Sequence, residues 1–527
     1  MSAAVAAAAR ARRAIPGAPV AGVAGLLVVW EALARLPGAE VLLAGPVAVA
    51  LWLGENGALM ARALAVTGAE AAAGFALGNL AAVALALCAV AWPRAERLIA
   101  ALALLVFCLP LVATGPILRV LYGPGPGPQV TLAALAVYYT TFVPLLVGLR
   151  AAPAAWFDVV ASYGRGRWAE ILHVRLFAAA PYLVAGLQIA APAAFLGAMV
   201  GEFTGAERGM GVLTIRALRA LDVEATWALA TVAALVSIAV YAAIGAAGRR
   251  LLREPPPVLL APPGAGGGAR PGAALGQAAL AGGVALALWW GAMEVFGLNA
   301  FFAKRPGDVW AFLVTDPGAA AHRAELFGAL ADTLALAVPG YLAGLAAGAA
   351  LAVALTLAPG AAAVAMPVAV ALRAVPIVTT APLVVLLMGR GAAGTIALVA
   401  VMIFFPVFVA ALHGLARAPG QVLDVFESYA AGPLRRLVHA QLPAMLPAFF
   451  AAARMSLPAA ILAVTVVEWL ATGRGVGALM AISASLSDYA MLWSAVVVVA
   501  LATVAGHALV AAAEARVLAR YAGEQRR

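Results

Sequence analysis

The sequence predicts an all-α membrane protein of about 12 spans, built as two six-helix units in tandem. Three observations carry this reading. Hydrophobic residues make up 65% of the chain and charged ones only 11%, whereas a soluble domain is about a quarter charged. Apolar runs of about 20 residues, the length a helix needs to cross a bilayer, recur from end to end. The second half also repeats the first at an offset of 266 positions.

The repeat is read from residue types that chance would not match in an alanine-rich chain. Gly74 and Gly78 pair with Gly340 and Gly344, and Pro110, Thr114 and Pro116 with Pro376, Thr380 and Pro382. Asp158, Ser162, Tyr163, Gly166 and His173 pair with Asp424, Ser428, Tyr429, Gly432 and His439. Pro192, Glu202, Asp222 and Trp227 pair with Pro458, Glu468, Asp488 and Trp493. The offset holds from Gly74 to Trp227 and slips towards the ends, where Pro46 corresponds to Pro306.

Spans are expected near 17–36, 66–92, 97–121, 129–150, 181–203 and 225–248 in the first unit. The second unit repeats them near 274–297, 331–357, 361–388, 394–415, 447–469 and 490–513. The first unit runs over 1–253 and the second over 273–527, with a Pro/Gly-rich linker at 254–272 that cannot continue a helix. The basic-then-apolar N-terminus is read as a retained first span, because a similar segment opens the second unit, where no signal peptide acts. Pro110, Pro116 and the GPGPGPQ stretch interrupt the third and fourth spans. Pro192 and Pro458 predict kinks in the fifth span of each unit, and GFALG at Gly74 and GYLAGLAAG at Gly340 suit close helix packing.

Net charge is +10, but the arginines sit in small groups between apolar runs, among them Arg94 with Arg97, Arg249 with Arg250 and Arg435 with Arg436. Short loops enriched in this way mark the cytoplasmic side. Six spans per unit put both termini and the linker on that side. No basic stripe interleaved with aromatics suggests nucleic acid. The only cysteines, Cys88 and Cys108, fall inside expected spans and read as spectator thiols. No metal-ligand cluster and no catalytic set is recognisable among the five histidines.

Between the fourth and fifth spans of each unit lies a polar run, DVVASYGRGRWAEILHVRL from Asp158 and DVFESYAAGPLRRLVHAQL from Asp424. Its composition predicts two short helices joined at a glycine turn on the cytoplasmic surface, with Asp158 as an N-cap. One such loop alone would read as a solvated amphipathic segment. Its retention in both units points to docking.

This pattern, D-V-x-x-S-Y-G-x-x-R-W followed by A-P-Y-L-x-x-G-L, resembles the cytoplasmic loop of binding-protein-dependent ABC importer permeases. The likeness is to their nitrate/sulfonate/taurine-type branch. RAVPIVTTAPLVVLLMGRG from Arg373, GEFTGAERGMGVL from Gly201 and VEWLATGRGVGAL from Val467 support it. The resemblance implies two type I-like permease domains in one multi-pass chain of the bacterial inner membrane. It implies coupling helices that seat on two cytoplasmic ABC ATPase subunits, and delivery by a periplasmic or lipid-anchored solute-binding protein. Asp158 and Asp424 take the usual Glu position of the coupling motif. Gly164 takes the turning glycine, while Ala430 replaces it in the second unit and Gly432 offers a displaced turn. Ser162, Tyr163, Gly166, Arg167, Ser428 and Tyr429 complete the two loops. Membrane lipid surrounds the chain, and ATP and Mg belong to the ATPase rather than to this chain, which carries no cofactor. The only lysine, Lys304, lies in AKRPG, so the chain has no P-loop, whose lysine contacts phosphate.

Ionisable groups at membrane depth are functional candidates. Glu202 and Glu468 close the fifth spans, where they shape an outer gate, hold the following glycine-rich turn through its backbone, or are plain interfacial carboxylates. Arg454, aligned with Gln188, and Arg373 either line a solute path or pair with a neighbour or snorkel. By branch resemblance the solute is a small anion such as nitrate or a sulfonate, or another small polar nutrient. An ion-gradient-driven secondary transporter also repeats six spans, but the basic signature expected between its spans two and three is reduced here to WPRAER and APGAAAVAM.

Overall fold

The computed structural model of the chain describes residues 18–39, 43–252, 271–358, 388 and 391–521. Arg373, nearly all of the ninth expected span and most of the expected linker lie outside the described residues. Within them all regular structure is helical. The first unit contains α1 (Ala18–Ala34), α2 (Pro46–Ala91), α3 (Glu96–Phe107), α4 (Leu111–Tyr122), α5 (Gly127–Gly148), α6 (Ala154–Ser162), α7 (Arg167–Phe203), α8 (Met210–Ala220) and α9 (Val223–Leu251). The second contains α10 (Pro271–Val295), α11 (Pro306–Trp310), α12 (Ala319–Leu357), α13 (Ala392–Leu415), α14 (Gly420–Ser428), α15 (Pro433–Leu470), α16 (Gly475–Ser485) and α17 (Tyr489–Tyr521).

Among the described residues nine helices are long and apolar enough to cross a membrane: α2, α5, α7, α9, α10, α12, α13, α15 and α17. The all-helical tandem-repeat reading of the sequence is thus the architecture observed among the described residues, with two corrections to its spans. First, α2 starts 20 residues before the expected span and α12 starts 12 before. A 46-residue helix is about 70 Å long, over twice the ~30 Å hydrocarbon core. Hydropathy registers only the part inside lipid, whereas the helix runs back to Pro46, whose fixed φ suits a first helical position. Second, the third span is not one helix but α3 and α4, bent by 90° at the break. Pro110 stands extended before α4 (φ −71°, ψ 106°), lacking the N–H that would continue α3. The prolines of α7 and α15, by contrast, do not interrupt the helix.

Glycine sets how closely the membrane helices approach. A Cβ added to Gly74 of α2 would lie 2.3 Å from Ala133 Cβ on α5, and one on Gly340 of α12 would lie 2.7 Å from Val399 Cβ on α13. Gly78 and Gly344 press in the same way against Ala134 and Ala400 carbonyls. Backbones at this distance gain dispersion contacts, which drive helix association where lipid tails are as apolar as the side chains. The two units share one core. α4 packs on α15, α16 and α17, and α10 lies along α3.

Two matched pairs from the repeat have structural roles. Asp222 caps α9 by accepting from Ala225 N at 2.9 Å, and Asp488 caps α17 by accepting from Met491 N at 3.0 Å. Trp227 meets Trp30 of α1 with ring centroids 5.5 Å apart, and Trp493 meets Trp289 of α10 at 5.4 Å. The first helix of each unit is therefore pinned to the last.

Candidate functional site

Each polar run folds as an elbow. In the first, α6 ends at Ser162, whose Oγ donates to the Val159 carbonyl at 2.7 Å. The chain reverses at Gly164, with φ +65° and its N–H on the Ala161 carbonyl at 2.8 Å. Glycine takes this left-handed turn without a Cβ penalty. After Gly166, Arg167 opens α7 and donates to the Val90 carbonyl at 2.6 Å, tying the elbow to the end of α2. Arg175 donates to the Leu149 carbonyl at 3.1 Å and lies 4.6 Å over the Phe157 ring. At the elbow's root Arg150 pairs with Glu96, and burial beside Arg175 lowers its guanidinium pKa from the ordinary range.

The second elbow repeats this geometry. Ser428 Oγ donates to the Val425 carbonyl at 2.8 Å, and Arg436 reaches Glu427 at 3.3 Å. The turn is not displaced to Gly432, which is extended at φ −62° and ψ 163°. Ala430 itself adopts φ +49°, because the Ala431 N–H must reach the Phe426 carbonyl, at 2.9 Å, to close the same reversal. Alanine is strained there by about 1 kcal/mol. Ala430→Gly is accordingly expected to slow hydrogen exchange at Ala431 by about fivefold, a change that exchange mass spectrometry reads directly.

Neither α6 nor α14 buries a residue. Asp158 and Asp424 are exposed, and Asp158 is not an N-cap: α6 starts four residues earlier, behind Pro153. Tyr163 is 78% and Tyr429 83% exposed at the two tips. Large aromatic residues so free of the fold suit a partner's surface.

Glu202 and Glu468, both 1% exposed, sit in a second pair of matched constructions. Thr67 of α2 donates to Glu202 Oε1 at 2.5 Å and accepts from Met210 N at 2.8 Å, while Gly211 N donates to Glu202 Oε2. In the second unit Thr333 of α12 donates to Glu468 Oε2 at 2.9 Å and accepts from Val476 N at 2.9 Å, and Gly477 N donates to Glu468 Oε2 at 2.9 Å. Each carboxylate thus ties the fifth-span helix to the second-span helix and to the start of the short helix that follows. The N-terminal N–H groups of α8 and α16, which have no acceptor within their own helix, are satisfied in this way. Gly209 and Gly475 leave the room needed, since a Cβ on either would lie 2.1 Å from the carboxylate. Thr67 and Thr333 were missed in the sequence, although they obey the 266 offset.

The remaining candidates do not converge. Gln188 donates to the Tyr241 carbonyl on α9 at 3.4 Å. Arg454 is paired with Glu514 of α17 at 3.1 Å, both largely buried. It borders a cavity whose wall includes neither Gln188, Glu202 nor Glu468.

Comparison with known proteins places these elements. The family described as "Binding-protein-dependent transport system inner membrane component" matches the chain twice, over residues 74–253 and 340–520. A probable ABC transporter permease protein of Haemophilus influenzae is 28% identical over 220 residues, 42% of this chain and 90% of its own length. The formylaminopyrimidine transport permease protein ThiX of Halalkalibacterium halodurans is 28% identical over 222 residues, 42% of this chain and 88% of ThiX. The riboflavin transport system permease protein RibX of Chloroflexus aurantiacus is 28% identical over 145 residues, 28% of this chain and 54% of RibX. Both family matches contain an elbow and a buried glutamate.

Proposed function

The chain belongs to the family of binding-protein-dependent transport system inner membrane components, carrying its domain twice, and we propose that it supplies both membrane halves of an ATP-driven importer. It is a multi-pass ABC permease, a transport component that works with an ATPase and a solute-binding protein. In the proposed arrangement the two elbows seat on two cytoplasmic ATPase subunits, the termini and linker share that side of a bacterial inner membrane, and the binding protein docks on the opposite face. ATP-driven closure of the ATPase pair draws the elbows together and opens the path between the units outward, and hydrolysis reverses it. The chain does no covalent chemistry, and ATP and Mg are held by the partner. One copy then suffices for a transporter, with permease units at 1–253 and 273–527.

The observation that supports this most is the pair of exposed elbows, each reversing through a left-handed residue and carrying a tyrosine at its tip. The solute is a small polar nutrient. The compounds named for ThiX and RibX, a formylaminopyrimidine and riboflavin, are nitrogen heterocycles, and they favour a polar nutrient over a simple oxyanion.

Purification of the chain from its native membrane in mild detergent tests the proposal. A P-loop ATPase is expected to come with it, and the complex is expected to hydrolyse ATP. A chain that purifies alone and moves solute in ATP-free vesicles under an ion gradient contradicts it.

A further inference from the structure

Midway along the helices a cavity of about 220 Å³ opens between the two units. Ala100 and Leu104 of α3 and Tyr139 of α5 form one wall, while Arg454 and Met455 of α15 and His507 of α17 form the other. Tyr139 is the thirteenth of the 22 residues of α5, and Arg454 and His507 fall within the expected spans 447–469 and 490–513, so the cavity lies within the membrane-spanning part of the helices.

Its polar groups have hydrogen-bonding capacity to spare. The Tyr139 hydroxyl and the His507 ring nitrogens make no hydrogen bond to any described residue. The Tyr139 ring is held instead by stacking on Phe107, with centroids 4.4 Å apart. Arg454 turns Nε to Glu514 at 3.1 Å, and a guanidinium has further N–H groups to offer. The rest of the wall is apolar. Donors and acceptors therefore face one largely apolar space.

This ion pair is not something the fold requires. With the 266 offset carried along the unbroken helices α9 and α17, the first unit has Gln188 for Arg454, Gly248 for Glu514 and Tyr241 for His507. There α7 and α9 are held by close contact, a Cβ on Gly248 falling 2.4 Å from Val184 Cγ1. Two copies of one scaffold thus pack these helices with and without charge. Burying an ion pair costs desolvation energy that its Coulombic attraction repays only with good geometry, so the charged wall belongs to one copy and not to the scaffold the two share.

Charge and size then select the ligand. Glu514 already balances Arg454, and a net anion would bring an uncompensated charge into a low-dielectric space. An uncharged ring with donors and acceptors on its edge leaves the balance intact and satisfies tyrosine, histidine and arginine together. The volume is below the roughly 300–1,000 Å³ of sites for drug-sized ligands, which limits the ligand to about one ring.

We propose that this cavity is a solute station within the transport path that takes a small uncharged polar heterocycle. The proposal rests on the permease reading and extends it. The test is equilibrium binding of radiolabelled cytosine, a neutral ring with both donors and acceptors, to the full chain in lipid nanodiscs, with nitrate and methanesulfonate as competitors. Saturable binding of one cytosine per chain is expected, unaffected by either anion. Tyr139→Phe keeps the stacked ring and removes only the hydroxyl, and is expected to weaken binding about five- to tenfold. The double variant R454Q/E514G, which installs the residues of the first unit, is expected to remain folded and lose binding. Displacement by nitrate or methanesulfonate would overturn the proposal in favour of an anion site. Absence of cytosine binding, or binding indifferent to Tyr139→Phe, would overturn it as well. ATPase co-purification is independent of all these outcomes, so the station and the permease reading fail separately.

Discussion

Replacing Glu202 or Glu468 by alanine is expected to destabilise the folded chain by about 2–4 kcal/mol, among the larger effects of a single substitution. Each carboxylate accepts from a threonine hydroxyl on the second-span helix and from a backbone N–H at the start of the following helix. Alanine leaves that N–H without an acceptor in a place sealed from water, at about 1–3 kcal/mol for each stranded group. It also severs the tie among three helices. Glutamine should behave differently. Its amide oxygen can accept from Gly211 or Gly477, and its NH₂ group meets a threonine that can turn its own hydroxyl to the carbonyl four residues back, 3.2 Å away in both units. Glu202→Gln and Glu468→Gln are therefore expected to stay within about 1 kcal/mol of the parent. Thermal unfolding of the detergent-purified variants, followed by monodispersity on gel filtration, separates the two classes. If glutamine were as damaging as alanine, negative charge rather than hydrogen-bond geometry would be what these sites require.

The second large effect is expected at the elbows. Gly164→Arg places a long cationic side chain at a left-handed turn (φ +65°) with open space around it, so the membrane helices should be untouched while the docking face is changed. Tyr429→Arg removes the most exposed aromatic tip. Loss of a central aromatic anchor weakens an interface by 2 kcal/mol or more, about 30-fold in affinity. Either single variant is expected to lose most ATP-dependent uptake, because an ATPase pair that must close together gains nothing from one seated subunit. Purified chains of both variants should melt within about 1 kcal/mol of the parent, which distinguishes lost docking from lost folding.

Much of this was legible in the sequence. The repeat could be read because Trp, Asp, Glu and Pro recur at one offset against a background of alanine. The elbows could be read because a polar run interrupts an apolar chain twice at matching places. Less legible was whatever leaves no mark on hydropathy. The outward extensions of α2 and α12, from Pro46 and Ala319 up to the expected spans, contain no proline after the first residue to end the helix. Thr67 and Thr333 are hidden because a threonine in an apolar helix ordinarily bonds its own i−4 carbonyl, as both also do here. Pairing with a neighbour is one reading of Arg454, and the structure shows it; its partner Glu514 sits one residue past the expected end of the last span, so the sequence does not single it out. The turn at Ala430 also defeats local reasoning. Gly432 is the residue with conformational freedom, but the hydrogen bond that closes the elbow runs from Ala431 N to the Phe426 carbonyl and imposes the left-handed conformation on Ala430.

The central claim, that one chain provides two seats for two ATPase subunits, is tested most directly by the native mass of the complex released from nanodiscs. The expected species is one chain with two ATPase subunits, reduced to one chain with a single ATPase in Gly164→Arg and in Tyr429→Arg, and to the bare chain when both are combined. A parent complex with one ATPase subunit per chain, or a stoichiometry that neither substitution changes, would contradict it.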